Sequence, residues 1–208
     1  MIRFALRLAP CVLALAVCAP VAMGRDFQCP SGTSVRGEAP PDGFKQWCEL
    51  DDGLQHGPSI SWHSDGSIKA EAHFDHGKLH GVFKIWHPNG QLAEEGNFVD
   101  DQREGKFSTW AESGTLFIEQ NFVKGKRHGE VKEWYKNGKL RFNERYADGE
   151  KEGPAVAYFD NGQMEAEGQF RGGQFHGTWN GWYPSGRKRK VAEFVDGKRI
   201  SVETFPDE

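Results

Sequence analysis

The chain has 208 residues, of which 37% are hydrophobic and 27% charged, with 26 glycines and a formal charge of −4. A chain this polar cannot fill one large globular core, yet its 12% aromatic content and regular spacing are wrong for disorder. The acidic balance argues against a nucleic-acid partner, and a thin, extended sheet satisfies all of these constraints.

The first predicted element is an export leader over residues 1–24. Arg3 and Arg7 give it a positive start, Leu8 to Ala22 is an uncharged apolar run, and Ala22-Met23-Gly24 offers the small residues a signal peptidase reads. The run is short for a membrane span and holds Pro10 and Pro20, so cleavage near Gly24 is expected rather than an uncleaved anchor. Leu15-Ala16-Val17-Cys18 makes a poor lipid-attachment box, because Val17 is bulky where a small residue is usual. The expected product is exported, periplasmic or secreted, and loss of the two arginines takes its formal charge to −6.

Export leaves Cys29 and Cys48, a pair that an oxidising compartment makes a disulfide. It closes a loop of about 20 residues, which contributes roughly 3 kcal/mol in the chain-entropy account. With the turn Ala39-Pro-Pro-Asp-Gly43 inside that loop, residues 25–56 read as a stapled cap hairpin.

Residues 57–200 are a repeat array. Gly57, Gly81, Gly105, Gly129, Gly153 and Gly177 stand 24 residues apart. Five places later come Trp62, Trp86, Trp110, Trp134, Tyr158 and Trp182, and after nine places Gly66, Gly90, Gly114, Gly138, Gly162 and Gly186. Ile68, Leu92, Leu116, Leu140 and Met164 follow on the same period, then Phe74, Phe98, Phe122, Tyr146, Phe170 and Phe194. Each unit reads as a β-hairpin with glycine at a positive-φ turn position. A three-residue loop places Trp134 opposite Leu140, and strict alternation beyond it would bring Tyr146 to the same face. The Trp, Leu and Phe stripes are therefore expected to share one face as the repeat core. Residues 201–208 are expected to supply a closing strand and tail. The fold class is all-β: an elongated single sheet of six stacked hairpins with a disulfide-stapled cap.

The stretch Phe122-Val-Lys-Gly-Lys-Arg-His-Gly-Glu-Val-Lys-Glu-Trp-Tyr-Lys-Asn-Gly-Lys-Leu140 resembles the MORN repeat, in the variant form of bacterial exported and antitoxin-like proteins. The resemblance covers roughly 50–200 and implies a non-enzymatic rod that binds protein partners or, in some proposals, membrane surfaces. Asp101 in place of a turn glycine, Glu104 and Glu152 in place of histidine, and Lys188 in place of leucine depart from the pattern.

No Ser-His-Asp arrangement, phosphate loop or nucleotide fingerprint is legible, so no enzyme and no cofactor are expected. Of the eight histidines, His56, His80, His128 and His176 keep one repeat position beside a turn, where an imidazole would bond a turn carbonyl; only His73 and His76 are off-pattern, and no metal site is expected. Glu71, Glu95, Glu119 and Glu167 share a repeat position and read as a solvated face. The candidate binding surface is an exposed aromatic line: His63, His87, Tyr135, Phe159 and Tyr183, with Phe83, Phe107 and Trp179 from the first arms. The basic run 187–190 reads as a guard on an edge strand. The leading expectation is a protein-binding scaffold. A glycan or cell-wall module, or a periplasmic immunity or antitoxin-like protein, is the alternative.

Overall fold

The computed structural model describes residues 27–207, so the predicted leader and its lipid box lie outside the described residues. These residues form sixteen strands and no helix. Fifteen strands follow one another, each hydrogen-bonded to the next, through one antiparallel sheet; the remaining piece, Lys78–Leu79, is cut by His80 from the arm it begins.

The cap is the hairpin of Ser34–Glu38 and Lys45–Glu49, fastened by the Cys29–Cys48 disulfide, and Cys48 is fully buried. Six hairpins follow. Their first arms are Gln55–Trp62, Gly81–Trp86, Gln102–Trp110, Lys126–Trp134, Glu150–Tyr158 and Gln174–Trp182. Their second arms are Ile68–Asp75, Leu92–Val99, Leu116–Val123, Leu140–Ala147, Met164–Arg171 and Lys188–Val195. The closing strand is Lys198–Thr204 rather than one beginning at 201, because a two-residue turn at Asp196-Gly197 returns the chain at once.

The hairpin loop has the predicted length. Tyr135 N–H donates to the Lys139 carbonyl at 2.8 Å and Gly138 N–H to the Tyr135 carbonyl at 2.9 Å, with Gly138 at φ 80°. Trp134 then pairs with Leu140. The next pair, however, is Glu133 with Phe142, which leaves Arg141 as an extra residue. This bulge recurs in every repeat and reverses the alternation beyond it.

The expected single apolar face is therefore split in two. Phe98, Phe122, Tyr146 and Phe170 lie on the face away from the tryptophans, the face of Phe107 and Val131. That side is the core: Phe107 is 1% exposed and Val131 2%, with Phe122, Ala155, Phe170 and Ala192 also buried. Phe83, Phe98, Phe107 and Phe122 stack edge to face, with successive centroids 5.2–5.4 Å apart. Gly96 makes room for this stack, since a Cβ there would lie 2.2 Å from the Phe107 ring. Trp62, Trp86, Trp110, Trp134, Tyr158 and Trp182, predicted as the repeat core, are half-buried on the opposite face.

Both rows of turns are tied between repeats. Gly125 N–H donates to the Arg103 carbonyl at 3.0 Å and Gly149 N–H to that of Arg127 at 2.9 Å. Asp101, at φ 65°, keeps the equivalent bond and adds another, its carboxylate accepting from Leu79 N–H at 2.8 Å. At the other row, Asn137 donates to the Asp160 carbonyl at 2.8 Å and Asn161 to that of Pro184 at 3.0 Å. Each bond spans close to one period, so the 24-residue spacing in the sequence is the spacing of these contacts.

Candidate functional site

The predicted aromatic line is not an exposed line. His63 Nε2 lies 3.0 Å from the Trp86 carbonyl and His87 Nε2 2.9 Å from that of Trp110. Tyr135 donates to the Tyr158 carbonyl at 2.7 Å, and Tyr183 to that of Phe205 at 3.0 Å. All four, with Phe159, are half-buried. A side chain just past the Trp position reaches one repeat onward and satisfies a backbone carbonyl there, which makes the row a seam between units. Phe107 is core, Phe83 packs against Phe98, and Trp179 packs on Phe170 and Phe175 with its indole N–H on the Gln169 carbonyl at 3.1 Å. They do point away from the Trp row, as expected; the core lies on that side.

The histidines beside the turns also differ from expectation. At Glu104, Glu152 and His56 this place takes up a turn N–H rather than a carbonyl, whereas His80 and His128 turn Nδ1 toward Asp100 and Asp148 at 3.7 and 4.0 Å. Glu104 accepts from Lys124 N–H and Glu152 from Gly172 N–H, both at 2.8 Å, while His56 Nδ1 faces His76 N–H at 3.5 Å.

The face opposite the phenylalanine core has three lengthwise zones, set by the strand register. Along the margin of the glycine-bulge loops run the half-buried Trp residues with their paired Ile or Leu. The middle is a polar ladder: Lys84 meets Glu95 at 3.0 Å, Lys106 meets Glu119 at 2.5 Å, and Asn180 donates to Glu167 at 3.2 Å. Lys132 meets Glu130 at 2.7 Å, and its hydrogen bond holds the Glu130 carboxyl below the usual carboxylate range. Along the other margin Val99, Val123 and Val195 are 39%, 44% and 47% exposed, with Val82 nearby at 54%. The valines were missed because they read as ordinary strand residues; their signal was the place just after the Phe position, on the same 24-residue period.

At the core-side margin a shallow hollow is lined by Phe117, Glu133, Trp134, Tyr135, Arg141 and Asp160. Glu133, 9% exposed, is ion-paired with Arg141, and this hydrogen bond raises the guanidinium's already high pKa. The Arg141 guanidinium also lies 5.8 Å from the centre of the Tyr135 ring. The basic run ends against the closing segment, where Arg187 pairs with Asp207 at 3.0 Å.

The family model of the MORN repeat variant matches residues 55–76, 79–100, 127–148 and 151–171. No curated protein matches the chain. Among solved structures, the glycosylation-associated Gap123 complex from Streptococcus agalactiae aligns at 13% identity over 54% of this chain and 20% of that one, with a TM-score of 0.32. The GtfA/B complex bound to UDP and GlcNAc aligns at 13% identity over 69% and 25%, with a TM-score of 0.23. Accessory secretory protein 1, 2 and 3 in Streptococcus pneumoniae aligns at 17% identity over 64% and 20%, with a TM-score of 0.19. The chain thus spans 20–25% of the length of these solved chains, too little to transfer a role.

Proposed function

The chain is a MORN-repeat protein, and from that premise we propose that it is an exported, non-enzymatic scaffold binding a protein partner along the face opposite its phenylalanine core. The observation that carries this reading is the margin of exposed valines, Val82, Val99, Val123 and Val195, beside a ladder of paired charges. Apolar side chains at regular intervals on a solvent-facing sheet gain most when another surface covers them, and the flanking charges set register and orientation. Export is supported by the disulfide in the cap.

The test uses residues that the array already carries at the same places. Glu130 occupies the position of Val82, and Arg171 that of Val99 and Val123. The triple variant V82E/V99R/V123R is therefore compatible with the fold. In crosslinked capture from the native envelope fraction, the wild-type chain is expected to retain one dominant protein that the variant loses. Equal capture by both would overturn the surface. A blank from both, with the fold intact by circular dichroism, would replace the reading with a glycan or cell-wall ligand.

A further inference from the structure

The first repeat departs from the array at two adjacent places. Asp75 stands where the other repeats have Val99, Val123, Ala147, Arg171 and Val195, and His76 where they have Asp100, Lys124, Asp148, Gly172 and Asp196. Both departures are metal-ligating side chains, and both converge on His56. His56 Nδ1 lies 3.1 Å from Asp75 Oδ1, and His76 Nδ1 lies 2.6 Å from the same oxygen. The ligand atoms of all three residues fall within 4.8 Å of one another.

We propose that His56, Asp75 and His76 form a binding site for a divalent transition-metal ion of the zinc class. Two imidazole nitrogens and one carboxylate oxygen are the donor set of borderline cations such as Zn²⁺, Cu²⁺ and Ni²⁺. Calcium and magnesium demand oxygen ligands in larger number. Tetrahedral bonds of about 2.0–2.1 Å place ligand atoms about 3.3 Å apart, against 3.1 and 2.6 Å for the two pairs on Asp75 Oδ1. An imidazole proton holds the His76 ring to the Asp75 oxygen, and a cation at the centre of the three atoms would take over that work.

The backbone prepares the arrangement. His76 sits at φ 46° in the two-residue turn, and Gly77 N–H donates to the Gln55 carbonyl at 2.7 Å, pinning the turn beside the strand that carries His56. His76 is exposed, and the fourth coordination position faces solvent.

The experiment is isothermal titration of Zn²⁺ into the disulfide-intact chain and two variants. D75V/H76K reproduces Val123-Lys124 of the third repeat, and His128→Glu places there the residue of Glu104 and Glu152. The wild-type chain is expected to bind one Zn²⁺, D75V/H76K to lose about 100-fold in affinity or more, and His128→Glu to bind as the wild type. Circular dichroism confirms that each variant is folded. Absence of stoichiometric Zn²⁺ binding by the wild type, or D75V/H76K binding within about threefold of it, would overturn the site; so would loss of binding in the folded His128→Glu chain.

Discussion

Glu104 and Glu152 look like breaks in a histidine series until their contact is seen: each accepts the N–H of a left-handed residue in the turn that leaves its own hairpin. At the scale of single residues, several periodic polar positions are accounted for in this way, by a backbone group close to one repeat away. Tyr135 is the clearest case, its hydroxyl donating to the Tyr158 carbonyl at 2.7 Å. Tyr135→Phe keeps the ring and removes the bond, and should cost about 1 kcal/mol, read as a lower unfolding midpoint in urea at unchanged slope. A midpoint equal to the wild type's would mean that water satisfies the carbonyl as well and the seam is incidental. The first repeat alone spends these positions differently, gathering His56, Asp75 and His76 on one another.

At the scale of the element, the hairpin was legible and its second arm only half so. Loop length, the Trp134–Leu140 pair and the left-handed glycines follow from spacing alone, because turn geometry and alternation are local. The bulge at Arg141 has no comparable mark, since the same place holds Lys69, Ala93, Phe117, Glu165 and Arg189 in other repeats. One unmarked extra residue moves Tyr146 and its equivalents to the other face, and with them the whole core. The clue lay in Gly96 and Gly168, small residues within an arm, each opening space for a ring across the strand, Phe107 and Trp179. Gly96→Ala should accordingly cost about 1–3 kcal/mol by overpacking, and coupling it to Phe107→Leu should recover part of that loss. Strict additivity of the two in denaturant unfolding would place the Phe107 ring elsewhere.

The described residues form one sheet in which each hairpin pairs with its neighbours, with the Cys29–Cys48 cap at one end and Lys198–Thr204 at the other. Such an array leaves one face for its own core and presents the other for contact over its full length. The histidine and tyrosine row that seemed free for binding is spent on holding repeats together. We propose that the valine margin and the charged ladder are what the array leaves to a partner. The most direct test is site-specific photocrosslinking in the native envelope, with a benzophenone amino acid at position 99, 123 or 117. Val99 and Val123 lie on the proposed face; Phe117, 47% exposed, lies at the margin of the core side. One protein adduct is expected from positions 99 and 123 and none from 117. An adduct from 117 alone, or none from 99 and 123, would contradict the proposal.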